Sequence, residues 1–169
     1  MEWGFVVLTL LAAALAAGGV RVLGEHERGV VFRLGRLRGG VRGPGLTFLI
    51  PAVDRMFRVH VAPEELAIGE QNLPTRDGGL LCLSTGVRYR VADPIKSVST
   101  VADARTSVRH ASERGLRSLS ARRNLEDFFE RRDVLEGELQ DMLSEALRPF
   151  GVAVMAATLH TVEIQKKPE

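Results

Sequence analysis

The 169-residue sequence holds one cysteine, Cys82, which excludes an internal disulfide framework and any zinc site built from several thiolates. Aromatic residues make up only 5% of it, so a core must come mainly from leucine, valine and alanine. The four histidines, His26, His60, His110 and His160, are scattered without HxxxH or HExxH spacing, and no metal site is expected. A P-loop, a GxGxxG turn behind a strand and a GxSxG elbow are all missing. One Ser/His proximity exists, Ser107 or Ser112 with His110 on a single predicted helix. Such neighbours are common by chance, and no glycine loop that could form an oxyanion hole lies near them. The chain therefore reads as non-enzymatic, with no catalytic residue and no cofactor. Net charge is also small, +2, which argues against a nucleic-acid partner.

What charge there is lies unevenly. Arg21 to Val61 contains eight arginines against Glu25, Glu27 and Asp54. Arg105 to Arg132 contains eight against four acids, and from Asp133 onward seven acids face three basic residues. For any single arginine a solvated surface is explanation enough. The basic N-terminal side nevertheless adjoins an uncharged run, residues 3–20, "WGFVVLTLLAAALAAGGV". With Val22 and Leu23 the run reaches about 20 residues, enough for a helix to cross a bilayer of about 30 Å. A cleavable signal peptide is the alternative, since Ala14-Leu15-Ala16 resembles a cleavage site, and a secreted domain would follow from it. Against it, the chain starts "MEWG" with no basic residue, and arginines begin only at Arg21. That asymmetry orients the N-terminus outward and leaves the bulk of the chain cytoplasmic, on a single-pass protein of the cell membrane. Trp3 suits an interfacial anchor.

Beyond the run, residues 28–34 read as a strand, and Gly35 and Gly39–Gly45 as punctuation. Gly43-Pro44-Gly45 fits a tight turn. "LTFLIP" reads as a short buried strand stopped by Pro51, with strands at 55–61 and 64–70 to follow. Residues 80–91 alternate, with Leu81, Leu83, Thr85, Val87, Tyr89 and Val91 on one face and Arg88 and Arg90 on the other. Arg76-Asp77-Gly78 is a hairpin turn leading into that strand. Asp93-Pro94 opens a short helix, and Asp103 caps a polar one over 104–121. A second helix is expected from an Asp133/Glu136 capping box, burying Leu135, Leu139, Met142, Leu143, Ala146 and Leu147 and ending before Gly151. A strand over roughly 152–164 closes the chain. Strands, then helices, then a strand make an α+β fold.

Residues 25–54, "EHERGVVFRLGRLRGGVRGPGLTFLIPAVD", resemble the opening of the stomatin/prohibitin/flotillin (SPFH, band 7) family, and most of all its prokaryotic stomatin-like members. There a membrane segment is followed by E-x-x-R-x-V-x-F-R-L-G-R, then G-P-G and an apolar run ending in proline. Glu27 or Glu25, Arg28, Val31, Phe32, Arg33, Leu34, Gly35 and Arg36 match, as do Gly43, Pro44 and Gly45 in the family turn. "TRD" at 75–77, "VRYRVADPIKSV" at 87–98 and 123–152 are similar to later stretches of stomatins, with Phe150 in place of their tryptophan. The resemblance implies a mixed or antiparallel sheet with packed helices behind one transmembrane helix. It divides the chain into an anchor (1–23), the SPFH domain (24–165) and a short tail (166–169) that lacks the usual C-terminal coiled coil. The implied function is a membrane scaffold that self-associates and organises microdomains, or a regulatory subunit of a membrane protease, channel or NfeD-type membrane protein. On this reading Trp3, Arg21, Arg36, Arg38, Arg42, Phe48, Leu49, Ile50 and Pro51 face an anionic inner leaflet. For "LTFLI" a plain core strand is the competing expectation.

Overall fold

The computed structural model describes Trp3, residues 19–100 and residues 103–165, with side chains to His160. Two compact units divide the chain, Met1–Ala62 and Pro63–Glu169.

The expected anchor falls mostly outside the described residues, but Trp3 and residues 19–23 do not. Val20–Leu23 is strand β1, paired antiparallel with β4, Gly45–Phe48. An apolar helix therefore does not continue to Leu23. In a strand, alternation sends Arg21 to the opposite face from Val20 and Val22, which a helix through an apolar medium would not allow. Among the described residues no helix is long and apolar enough to cross a membrane.

The rest of the first unit is a three-stranded antiparallel sheet, ordered β3-β2-β5, of β2 (Glu27–Arg33), β3 (Arg36–Arg42) and β5 (Asp54–His60). Residues 39–42, expected as punctuation, belong to a strand. Gly39 and Gly40, at φ 78° and 66°, form a bulge that the β2–β3 register absorbs between Val30 and Phe32, so the breaker residues bend the strand instead of ending it. Leu34-Gly35 makes the two-residue hairpin turn, both with positive φ.

In the second unit β6 (Glu64–Pro74), β7 (Leu80–Val91) and β8 (Val152–Gln165) form an antiparallel sheet with β7 central. The expected inner face of β7 is buried throughout, and Arg88 and Arg90 are exposed. Both outer strands bulge opposite the same short piece of β7, β6 between Ile68 and Gln71 and β8 between Leu159 and Val162. Four helices follow β7: α1 (Pro94–Thr100), α2 (Ala104–Arg122), the single turn α3 (Asp127–Glu130) and α4 (Arg132–Leu147). The α2 helix packs over β6, and α4 over β8. Leu135, Leu139, Leu143 and Leu147 of α4 meet Val108, Leu116 and Leu119 of α2 and the β7 face in one core. Gly115 lets the helices close, because a Cβ there would stand 3.2 Å from Leu139 Cδ1.

The capping box is not formed. The helix begins at Arg132, Asp133 is exposed, and Glu136 accepts hydrogen bonds from Arg132 Nε and from the Leu159 N–H, 2.8 Å away at the β8 bulge. Ala146 is exposed and Met142 only half-buried, so the stripe is narrower than expected. At α2 the expected cap is present, with Asp103 accepting from the Arg105 and Thr106 N–H groups.

Candidate membrane-facing surface

Strand pairing puts apolar side chains on one face of the β1–β4 ribbon. Val20 stands opposite Phe48 and Val22 opposite Leu46, and directly opposed residues share a face. All four are open to solvent, at 49%, 62%, 63% and 79% for Val20, Phe48, Val22 and Leu46. Arg21 and Thr47 lie on the other face. The "LTFLIP" segment is thus not a buried core strand: β4 is short and exposed, and only Leu49, just beyond it, turns inward. The Leu49 N–H donates to Gly19 O at 2.7 Å, which fastens the end of β4 to the start of β1.

Ten of the thirteen exposed large hydrophobics among the described residues belong to this unit, Trp3, Leu37 and Ile50 included. Among the described residues, the exposed large apolar side chains are therefore concentrated in the same unit as the basic collar. Arg36, Arg38 and Arg42 are exposed along β3, and Gly43, Pro44 and Gly45 form the exposed connection into β4, with Gly45 at φ 114°.

Past β4 the chain turns sharply. Ile50 O accepts from the Val53 and Asp54 N–H groups across Pro51-Ala52, and Ala52 takes φ 67°. This is a type II turn, with proline where φ is fixed and a positive φ at the next residue. A clamp holds it. Arg33 donates Nε to Asp54 Oδ1 at 2.6 Å and Nη2 to Oδ2 at 2.8 Å, while the Ile50 N–H donates to Oδ2 at 2.9 Å. The Arg33 bonds, then the Ile50 N–H, hold the Asp54 carboxyl down at about 2, and the same pairing raises Arg33. Sequence reading had Arg33 only as a matching position and Asp54 only as an acid in a charge count. The signal available was a lone acid three residues after a proline within an arginine-rich stretch.

The Thr75-Arg76-Asp77 stretch sits in the β6–β7 hairpin as expected and is tied to the link after α2. Asp77 accepts from the Thr75 hydroxyl and from the Leu125 N–H, and Arg76 Nε donates to Asn124 Oδ1. Those two bonds to Asp77, Thr75 first, lower its pKa. The structure does not assemble the Ser/His pair. Ser107 and Ser112 donate to the carbonyls of Asp103 and Val108, and His110 leans toward Glu113.

The SPFH domain/Band 7 family model matches residues 21–168. The chain belongs to that family. An uncharacterised protein of Archaeoglobus fulgidus is 34% identical over 167 residues, which is 99% of this chain and 67% of the relative. A stomatin homologue of Pyrococcus horikoshii is 32% identical over 94% of this chain and 59% of its own length. Stomatin-1 of Caenorhabditis elegans is 30% identical over 86% and 44%. The chain thus spans about half to two thirds of these relatives. Archaeal stomatin homologues and animal stomatins stand together here, as the resemblance implied. Family membership supports a scaffold role in general.

Proposed function

We propose that this SPFH protein is a non-enzymatic, membrane-anchored scaffold of stomatin type, which self-associates and organises membrane microdomains or regulates membrane proteins. The observation that carries the reading is the exposed apolar face of Val20, Val22, Leu46 and Phe48, in a unit that also exposes the arginines of β3. Burying the exposed parts of four such side chains is worth on the order of 4 kcal/mol. Each basic residue at an anionic surface adds about 1 kcal/mol. The ribbon would lie in the interfacial layer of the leaflet, with Arg36, Arg38 and Arg42 at headgroup level.

The test places a single cysteine at Phe48 in a Cys82→Ser background, with an environment-sensitive fluorophore, in the full chain reconstituted into vesicles containing phosphatidylserine. Quenching by lipids spin-labelled near the headgroup is expected. A water-like emission that spin-labelled lipid leaves unchanged would sink the membrane-seated reading. Particle mass after gentle extraction tests self-association. A large homomeric particle supports the scaffold, and a small fixed complex with a protease or channel supports the adaptor reading instead.

A further inference from the structure

The outer strand of a sheet presents unpaired backbone N–H and C=O groups, which will accept a further strand unless something blunts them. Most outer strands of this chain are blunted. At β8, Glu136 accepts from the Leu159 N–H, and Gln140 Nε2 donates to Met155 O at 3.2 Å. Strand β6 carries Pro74 and a bulge and lies under α2. Strand β3 is bent by Gly39 and Gly40, and β1 and β4 have four residues each. The edge of β5 differs. This strand has seven residues, neither glycine nor proline, and pairs with β2 without a break in register. Beyond Asp54, no group of β5 has a hydrogen-bond or ion-pair partner outside the β2 ladder among the described residues. Its side chains are sorted by face. Phe57 stands opposite Val30 and Arg55 opposite Phe32, so they share a face on which Phe32 meets Phe57 edge-on at 5.5 Å. Phe57 is exposed there, as are Leu37 and Val41 of β3, which oppose the same two β2 residues. Arg58 lies on the other face, opposite Gly29. Arg55 and Arg58 are both exposed, and the one acid of the strand, Asp54, is held by Arg33, so the charge left along β5 is basic.

We propose that β5 is a docking edge for an extended, acidic segment of a partner protein, which adds to the β3-β2-β5 sheet as a further strand. The proposal deepens the regulating half of the reading above, and rests on that half alone, by naming the surface that would hold the regulated protein. The open backbone groups call for an extended chain. The exposed ring of Phe57 calls for an apolar side chain beside it, on the face where Leu37 and Val41 already lie open. The two arginines call for carboxylates, one on each face of the incoming strand. Read antiparallel to β5, opposite Arg58, Phe57, Met56 and Arg55 in turn, the segment runs acid, apolar, any residue, acid. Charge also decides against a second copy as the occupant, since its own β5 would set Arg55 and Arg58 on the neighbouring strand, where like charges repel.

The experiment uses the full chain in detergent and a fluorescein-labelled peptide, Thr-Thr-Glu-Val-Thr-Glu-Thr-Thr, with binding read by anisotropy. The peptide should bind with a Kd below about 1 mM. Its counterpart with lysine for both glutamates should bind at least about tenfold more weakly. Methyl groups on one alternate set of peptide nitrogens should abolish binding and on the other set leave it unchanged, because a strand turns only every second N–H toward a given neighbour. Arg55→Glu/Arg58→Glu, checked for unchanged circular dichroism, should exchange the preference between the two peptides, and Phe57→Ser should weaken the parent peptide at unchanged charge preference. No binding of the acidic peptide, equal binding of the lysine peptide, or indifference to both methylation patterns would overturn the inference, and none of these depends on a variant that must fold. Loss of binding to phosphatidylserine vesicles by Arg55→Glu/Arg58→Glu, with its peptide preference unchanged, would assign the arginines to headgroups and overturn it too. Each of these failures leaves the membrane-seated reading to be decided by the Phe48 probe.

Discussion

Asp54 shows how much one side chain can hold. Only 2% of it is exposed, and its two oxygens together bind a guanidinium on β2 and the N–H that opens the turn after β4. Its pKa, about 2, lies below the ordinary carboxylate value near 4 that an unfolded chain would show. A depressed folded pKa contributes stability above the unfolded value and loses it as pH falls through the folded one. The first unit should therefore loosen between about pH 4 and pH 2, and Asp54→Asn should remove that step. We expect the Asn variant to unfold at lower denaturant than wild type at pH 7, with the two converging near pH 2; parallel curves across that window would refute the clamp. Neither partner was legible as a site residue. A bidentate pair across 21 positions leaves no periodic trace, and arginine density pointed to lipid, where Arg36, Arg38 and Arg42 remain exposed but Arg33 does not serve.

At the scale of elements, alternation and helical stripes were legible where one face is buried. Strand β7 runs over the expected residues, because a six-position apolar face allows one register only. The α4 stripe was legible for the same reason, with four leucines at i, i+4 spacing all buried. Leu139 is fully buried between α2 and the sheet, so Leu139→Ala should cost about 2–5 kcal/mol, read as a shifted denaturation midpoint. A cost under about 1 kcal/mol would mean that the helix pair is not packed as described. What stayed illegible were features set by partners distant in sequence. Gly39 and Gly40 look like breakers until β2 is beside them to absorb a bulge. Asp133 and Glu136 spell a cap, yet Glu136 serves a strand N–H 23 residues away. Leu46 and Phe48 read as core until the pairing with β1 leaves them outside.

Across the whole molecule the two units differ in what they expose. Among the described residues, exposed large apolar side chains collect in Met1–Ala62, while exposed charge is spread over both units. The bulged sheet adds something neither surface provides. Because β6 and β8 both lose register opposite Leu83–Thr85, the ladders on both sides of the continuous β7 are interrupted along one line. Toward the hairpin lies a narrower leaf of Leu80–Leu83, Gln71–Pro74 and residues 162–165, whose Leu73, Leu81 and Leu83 are buried in the same core as the leucines of α2 and α4. Hydrogen exchange should show the narrow leaf opening as a unit, faster than Thr85–Val91, and uniform protection along β7 would show that no such line exists. Since Leu81 and Leu83 share the core with the leucines of α4, a pull on the end of β8 would be felt in that core across a single break in the ladder.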